Sequence, residues 1–250
     1  MSLARFYIAP ASWHAETLVL EGDEANHCSS VMRHHAGDEI VVFNGAGDWA
    51  RTRITSASPK RVELETLSAD RTPKSATTLT LLQAIPKGSS MELIIEKSVE
   101  LGVNVIMPVM TERTVVKLDS KDAAKKQVKW QRLAVEACKQ CGQNWLPEVQ
   151  TPQSFYKALE KLPTQELRII AAIQDDAMPL KGILADQFQI DQHKPASVML
   201  CIGPEGDFTP AEYAAAREKG CLPMTLGSII MRVETAAMYG LSVLSHELRT

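Results

Sequence analysis

Apolar and polar positions follow two different rhythms along the chain, and the change falls near residue 72. Before it, apolar residues come in short runs rich in Val, Ile, Thr and aromatic side chains, separated by turn signals such as Asn44-Gly45. Short runs bounded by glycine, asparagine and aspartate are typical of strands and hairpins. This part therefore predicts five or six strands and one short helix near residues 24–33, which form a small β-barrel-like domain. The polar stretch Ala69–Lys74 contains a proline and predicts a linker.

After the linker, buried strands alternate with amphipathic helices. The predicted strands cover 77–85, 103–109, 166–173, 196–203 and 222–226, and the predicted helices cover 91–101, 122–143, 210–220 and 233–248. This alternation indicates an α/β domain with a mostly parallel sheet. Ser89 to Glu92 and Thr209 to Glu212 both have the spacing of a capping box, in which a hydroxyl and a carboxylate cap a helix start reciprocally.

The composition is that of a globular protein. With 250 residues, 45% of them apolar and 23% charged, the chain is neither disordered nor fibrous, and it has room for one large or two modest domains. Five cysteines are too few and too odd in number for a disulfide framework, which favours reduced thiols and a cytoplasmic protein. Neither a signal-peptide pattern nor a membrane-length apolar run is present. Cys138 and Cys141 lack a second Cys or His pair, so we expect packed thiols and no metal site.

The net charge of −3 conceals a local excess of positive charge. Between residues 113 and 132 the only acidic residues are Asp119 and Asp122, against seven basic ones, a local net charge of +5. This basic stripe consists of Arg113, Lys117, Lys121, Lys125, Lys126, Lys129 and Arg132. It is compatible with two interpretations, an RNA-binding surface or a solvated helix face.

Three glycine-containing loops follow predicted strands, at 86–89, 202–207 and 226–232. Ligands of open α/β sheets bind beyond the carboxyl ends of the strands. None of the loops matches a dinucleotide-binding or phosphate-binding glycine motif, which disfavours a nucleotide-dependent oxidoreductase. Each loop taken singly also fits plain turn geometry. Together the last two suit a flat purine ring and an amino-acid tail better than a polyphosphate.

Several motifs, in order along nearly the whole chain, resemble those of one family. They are Asn26-His27 with Val31-Met32-Arg33 and Gly37-Asp38-Glu39-Ile40, Gln83 to Gly88, Lys97 to Val103, Thr111 to Val115, Ala137 to Gly142, Leu200 to Gly206, and Leu226-Gly227 with Arg232 to Ala236. The chain resembles the SPOUT methyltransferases, and within them the RsmE-type uridine N3 methyltransferases of small-subunit ribosomal RNA.

The resemblance implies a fold, an activity and partners. Residues 1–72 would form a PUA-like RNA-binding β-barrel domain, and residues 73–250 a SPOUT α/β domain with a trefoil knot in about 197–250. Ordinary folding rules count against a knot, so only the resemblance suggests one. The implied activity is S-adenosylmethionine-dependent methylation of uridine N3 in 16S ribosomal RNA, within the small subunit, by a homodimer.

The resemblance and the chemistry of the reaction together nominate site residues. The cofactor-binding set is Leu200, Ile202, Gly203, Pro204, Glu205, Gly206, Leu226, Gly227, Ile230, Met231, Arg232, Thr235 and Ala236. The RNA-binding set is Arg33, His34, Arg113, Lys117, Lys125, Lys126 and Lys129. Uracil N3 is a poor nucleophile while protonated, so a cation or a base is needed. We assign the cationic role to Arg232 and name Glu205 and Glu234 as candidates to orient it or accept the proton. Both carboxylates also fit structural roles, in a turn or in the first turn of a helix.

Three positions depart from the family pattern. Asp207 stands where a second glycine is usual, and Ser228 and Ile229 stand where proline and arginine are usual. The loss of that arginine removes a donor that could have held RNA. Two alternative functions therefore stay open: a non-catalytic RNA-binding assembly factor, and a SPOUT methyltransferase that acts on a different RNA.

Overall fold

A computed structural model describes residues 3–162 and 164–249, which divide into two compact units. Among the described residues, unit 1 comprises 3–74 and 135–146, and unit 2 comprises 75–134, 147–162 and 164–249. Residues 1, 2 and 250, at the ends of the two predicted domains, lie outside the described residues.

Unit 1 is built on a sheet that has five strands among the described residues. They are β1 (Arg5–Tyr7), β2 (Val19–Glu21), β3 (Glu39–Phe43), β4 (Asp48–Ala57) and β5 (Arg61–Arg71), in the order β1-β3-β4-β5-β2. The β1–β3 pairing is parallel and the others are antiparallel. The predicted short helix is α1 (Gly22–Asn26), continued by a π-helical turn at His27–Val31. Phe6, Leu20, Ile40 and other buried apolar side chains form the core beneath them.

The predicted linker is wrong over its first three residues. Ala69, Asp70 and Arg71 are the end of β5 and pair with Ala50, Trp49 and Asp48 of β4. The Arg71 guanidinium also bonds the Asp48 carboxylate at 2.5 Å, and its carbon lies 5.4 Å from the centre of the Trp145 ring. Cross-strand pairing thus extends a polar segment as a strand, which hydrophobic patterning does not reveal.

The last turns of a long helix, α3 (Ser120–Cys141), complete unit 1. Lys139, whose side chain is 9% exposed, forms ion pairs with Glu24 of α1 and with Glu136. Arg5 donates to the Asn144 side chain at 2.5 Å. Cys138 is buried as expected, and burial raises the pKa of its thiol to about 12, whereas Cys141 is exposed.

Unit 2 contains an eight-stranded sheet, and every pairing among its described residues is parallel. Its strands are β6 (Thr78–Ala84), β7 (Val105–Met110), β8 (Glu148–Val149), β9 (Gln153–Ser154), β10 (Leu167–Ala171), β11 (Met178–Pro179), β12 (Ser197–Ile202) and β13 (Cys221–Thr225). The order is β11-β13-β10-β12-β6-β7-β8, with β9 also paired to β7. This confirms the predicted parallel α/β domain. Strand β10 lies between β12 and β13, so the loops after these three strands emerge side by side.

The helices of unit 2 pack on this sheet. Besides most of α3, they are α2 (Ser90–Glu100), α4 (Phe155–Glu160), α5 (Leu180–Asp191), α6 (Pro210–Glu218) and α7 (Val233–Arg249). The sequence reading missed α4, α5, β8, β9 and β11, which are short or follow no clear period. Of the two predicted capping boxes, the one at Thr209 and Glu212 is present, and the one at Ser89 is not. The Glu92 carboxylate is bonded to Lys129 of α3 instead, so a tertiary ion pair replaces the local cap.

Arg249, at the end of α7, bonds this helix to the residue just before β6 and to the turn between α2 and β7. Its guanidinium donates to the Gly102 carbonyl at 2.6 Å, and to the Thr77 carbonyl and the Asn104 side chain at 2.9 Å each. Burial lowers the pKa of this half-buried arginine from its ordinary value.

We expect Arg249→Ala to lower the unfolding free energy of unit 2 by about 2 kcal/mol, because it removes hydrogen bonds from a charged donor. Chemical denaturation followed by circular dichroism measures the shift. Arg249→Lys should restore part of it, since lysine keeps the charge but loses the planar fork. An unchanged midpoint in Arg249→Ala would show that the three bonds contribute nothing net.

The described residues show neither a membrane-spanning helix nor a metal-binding cluster. Within residues 3–162 and 164–249 no helix has the length and apolar character needed to cross a bilayer. The same residues include no group of three or more His, Cys, Asp or Glu side chains placed to hold a metal ion.

Candidate active-site cleft

A cleft of about 700 Å³ opens at the carboxyl ends of β10, β12 and β13. Three stretches supply most of its wall: 171–175 after β10, 202–205 with Asp207 after β12, and 225–234 after β13. Ser90, Ala177 and Ala236 complete the lining. This is the edge at which a parallel sheet places ligands, because the chain leaves every strand in the same direction there. The volume is in the range of small-molecule sites.

The loop between β12 and α6 is held from several sides within unit 2. Arg113 donates to the Gly206 carbonyl at 2.7 Å, and the Glu205 carboxylate accepts the Lys87 amide at 2.8 Å. The fully buried Glu212 caps α6 through the Thr209 amide at 2.9 Å and also accepts the Glu112 amide at 2.8 Å. Two neighbouring loops, after β6 and β7, thus fix the backbone of residues 203–209.

Asp207 ends this loop in a left-handed conformation, with φ +61°. An L-residue is rarely found there, although aspartate tolerates it better than most, which explains why glycine suits this position. Its Oδ1 accepts the Phe208 amide and the Tyr213 hydroxyl, each at 2.8 Å. Burial, and then the bond to Asp207, raise the pKa of Tyr213 well above its ordinary value. This departure from the family pattern therefore keeps the turn rather than disrupting it.

The loop between β13 and α7 presents a different surface. The Thr225 hydroxyl accepts the Gly227 amide at 3.1 Å and closes the first turn. Ile229 and Ile230 line the cleft and are 77% and 80% exposed. The cleft wall therefore has the apolar side chain of Ile229 at the position where the family pattern has a charged arginine.

Three ionisable side chains of the cleft have no hydrogen-bond or ion-pair partner in the described parts of the chain: Asp175, Arg232 and Glu234. Arg232 immediately precedes α7 and Glu234 lies in its first turn. Glu205, by contrast, is engaged by the Lys87 amide. The structure therefore leaves Arg232 and Glu234 available to a ligand and gives Glu205 a structural contact.

Ten of the thirteen predicted cofactor residues line the cleft. They are Ile202, Gly203, Pro204, Glu205, Leu226, Gly227, Ile230, Met231, Arg232 and Ala236. The other three lie elsewhere: Leu200 is fully buried against Gly240 of α7, Gly206 packs against the Arg113 side chain, and Thr235 is exposed away from the lining. All three candidate catalytic residues, Arg232, Glu234 and Glu205, are on the wall.

The sequence reading missed the wall formed by residues 171–175. The available signal was the predicted strand 166–173 followed by the polar run Gln174-Asp175-Asp176. What could not be read from the sequence was that this strand lies between β12 and β13, which is a matter of sheet order.

The predicted RNA-binding residues are spread over both units. In unit 1, Arg33 is exposed with φ +59°, and His34 bonds Asp38 at 3.1 Å and packs on Phe6. In unit 2, Arg113 holds the cleft loop, and Lys117 lies 3.4 Å from the Thr111 carbonyl.

The three lysines of α3 in that set have partners on unit 2. Lys125 pairs with Asp122 at 3.5 Å, Lys129 pairs with Glu92, and Lys126 lies 5.7 Å from the centre of the Trp130 ring. Lys125 and Lys129 remain about two-thirds exposed. Exposed ion pairs of this kind are weak, so the lysines can exchange these partners for a phosphate.

Comparison with known proteins identifies the family. A model described as an RNA methyltransferase domain matches residues 73–245, and one described as an RNA methyltransferase PUA domain matches residues 20–67. The ribosomal RNA small subunit methyltransferase E of Bacillus subtilis is 30% identical over 238 residues, which cover 93% of this chain and 91% of that protein. This chain belongs to the ribosomal RNA small subunit methyltransferase E family.

A second relative and two solved structures agree with this assignment. The Synechocystis protein is 31% identical over 239 residues, 95% of this chain and 76% of that protein. The Neisseria gonorrhoeae methyltransferase E, solved bound to S-adenosyl methionine, has a TM-score of 0.84 at 31% identity over 98% of both chains. A putative Legionella pneumophila methyltransferase, solved with its SAM cofactor, has a TM-score of 0.87 at 31% identity, covering 99% of this chain and 98% of that one. The resemblance and the α/β fold with a PUA-like domain are confirmed; the knot stays a prediction.

Proposed function

We propose that this chain uses S-adenosylmethionine to methylate N3 of a uridine in 16S ribosomal RNA of the small subunit. The observation that carries the proposal is the pair of unpartnered side chains, Arg232 and Glu234, on the wall of a cleft of about 700 Å³. The names of the relatives support the class of substrate, and the uridine N3 position follows from the family resemblance.

The cleft fits the proposed cofactor in size and in the groups it offers. Most of its wall is loop backbone with small or apolar side chains, which suit a purine, and its charged side chains offer partners to an amino-acid tail. A Cβ at Gly203 would lie 3.2 Å from the Phe208 ring and 3.3 Å from Asp207 Oδ1, so a side chain there would require these neighbours to shift slightly. Residues 202–205, 226–227 and 230–232 would hold the cofactor, together with the stretch 171–175.

The side chains of the cleft supply what the nucleophile needs. When bound, S-adenosylmethionine provides an electrophilic methyl group on its sulfonium sulfur. Arg232 is always charged and would stabilise the negative charge that develops on a uracil carbonyl oxygen as the N3 proton leaves. Glu234 is the stronger candidate to accept that proton, because Glu205 already holds the Lys87 amide. The target base has to leave its stack to reach the cleft.

The basic stripe provides the proposed contact with RNA phosphate. We expect charge reversal at Lys125, Lys126 and Lys129 to weaken binding of small-subunit RNA and to reduce its dependence on salt, because fewer counterions are then released. Fluorescence anisotropy at several salt concentrations measures both effects. S-adenosylmethionine binding should be unchanged, since none of these residues lines the cleft. Reversal at the exposed Lys157, Lys181 and Lys194 of unit 2 is the charge-matched control. Equal losses there would show that the stripe has no special role.

The proposal includes a homodimer that acts in the cytoplasm, where ribosomal subunits are found. The exposed Ile229 and Ile230 at the cleft wall support a second copy near the site, because such side chains are costly to leave in water. The five free cysteines support a reducing compartment. Light scattering of the purified protein tests the dimer.

Ribosomal RNA from a strain lacking the protein tests the function. Mass spectrometry of its 16S RNA should show loss of one N3-methyluridine, and adding the purified protein and S-adenosylmethionine to small subunits from that strain should restore it. An intact N3-methyluridine signal would overturn the substrate assignment. RNA binding without methyl transfer would instead support an assembly factor, and a lost methyl group on another RNA would support a different target.

A further inference from the structure

Asp207 and Tyr213 join two walls of the cleft. Asp207 ends the loop after β12, and Tyr213 lies on α6 with 4% of its surface exposed. The Tyr213 hydroxyl donates to Asp207 Oδ1 at 2.8 Å and also lies 3.2 Å from the carbonyl of Ala171, where β10 ends and the 171–175 wall begins. One buried hydroxyl therefore contacts the chain at the base of both walls.

The surrounding side chains make this contact rigid. Asp207 Oδ1 also accepts the Phe208 amide at 2.8 Å, and the Phe208 ring packs 5.5 Å from the Tyr213 ring and 5.0 Å from the Phe155 ring, measured between ring centres. Gly203 lies directly over Phe208 and Asp207 Oδ1. The loop that begins at Gly203 thus packs against the Phe208 ring, which itself packs against the rings of Tyr213 and Phe155. It ends at the Asp207 carboxylate, which accepts hydrogen bonds from the Phe208 amide and the Tyr213 hydroxyl.

The two residues also need each other. A buried tyrosine hydroxyl requires a hydrogen-bond partner. The backbone of Asp207 is in the left-handed region, which glycine adopts without steric cost and aspartate does not. The Tyr213 donor gives that carboxylate a charge-assisted bond, which is stronger than a neutral one. A glycine at this position makes the turn without strain but has no side chain with which to reach α6.

We propose that Asp207 and Tyr213 are positioning residues that lock the cleft loops in their ligand-binding arrangement, a side-chain lock in place of a second glycine. A loop held in advance loses less conformational entropy when a ligand orders it, so the lock strengthens cofactor binding. This inference rests on the proposed function for the identity of the ligand, S-adenosylmethionine. The lock itself is a property of the free protein.

The test compares Tyr213→Phe, Asp207→Ala and Asp207→Asn with Tyr239→Phe, an exposed tyrosine control on α7. By calorimetry we expect Tyr213→Phe to weaken S-adenosylmethionine binding about fivefold and Asp207→Ala about 25-fold, because each lost hydrogen bond multiplies the dissociation constant by about five. Asp207→Asn keeps an acceptor oxygen and should retain most of the affinity. The KM for the cofactor should rise while kcat at saturation stays near wild type, a split that loss of folded protein would not produce.

Hydrogen exchange of the free protein provides a readout that needs no cofactor. Peptides covering residues 203–208 and 171–175 should exchange faster in Tyr213→Phe, with unit 1 unchanged. If exchange and affinity in Tyr213→Phe match the Tyr239→Phe control, the lock is overturned. If exchange accelerates but the wild-type protein does not bind S-adenosylmethionine, the lock stands and the proposed function fails.

Discussion

Arg232→Ala should lower the rate of methyl transfer to small-subunit RNA by about 10²–10³-fold, the usual cost of removing one charge stabiliser from an active site. The guanidinium has no protein partner in the described parts of the chain, so its loss breaks no structural contact. The effect should fall on kcat more than on cofactor affinity, because the charge it stabilises develops only as the N3 proton leaves. Single-turnover assays with small subunits lacking the modification measure it.

Two companion variants separate this role from a general effect of charge. Arg232→Lys keeps the positive charge but loses the planar fork, so its rate should lie between wild type and alanine. Lys181→Ala removes one exposed charge from α5 and should leave the rate unchanged. A rate for Arg232→Ala within a few-fold of wild type would remove this residue from the mechanism and leave the charge on uracil without a protein cation.

Glu212→Ala should lower the stability of unit 2 by about 3 kcal/mol, because it removes a helix cap and a buried acceptor at once. The Glu212 carboxylate is fully buried and accepts the Thr209 and Glu112 amides, so both donors lose their partner. For a protein of this size the midpoint of thermal unfolding should fall by about 6–12 °C. Differential scanning calorimetry of the full chain measures the shift.

Glu218 offers a matched control on the same helix. It is exposed near the end of α6, so Glu218→Ala makes the same change in composition without removing a cap. Its midpoint should stay within about 1–2 °C of wild type, as surface substitutions usually do. Glu212→Gln keeps one acceptor and should lose roughly half as much stability. Equal shifts in Glu212→Ala and Glu218→Ala would show that the buried carboxylate contributes no more than an exposed one.

The domain class was readable from the sequence because it depends on local periodicity. Alternating strands and helices from residue 77 onward predict a parallel sheet, and the structure has one. The prediction was wrong where tertiary contacts overrode local signals. Ala69 to Arg71 became strand through pairing with β4, and Glu92 left its expected cap to bond Lys129. In both cases the deciding partner is distant in sequence.

The candidate site was predicted in part. Glycine loops after predicted strands pointed to residues 202–207 and 226–232, and both line the cleft. The stretch 171–175 was missed, because its place depends on β10 lying between β12 and β13. The role of Glu205 was open between catalysis and a turn contact, and only the bond to the Lys87 amide favours the second.

The sequence by itself determined the parallel α/β class and the family, since these follow from periodicity and from motifs that are contiguous in the chain. The tertiary structure alone decided which strands adjoin, and hence which loops share a cleft. It also decided which charged side chains are engaged and which are free. The physical reason is that the deciding hydrogen bonds join residues far apart in the chain: the Tyr213 hydroxyl donates to the Ala171 carbonyl 42 positions away, and the Glu112 amide donates to the Glu212 carboxylate 100 positions away. Such pairs leave no periodic trace in a single sequence.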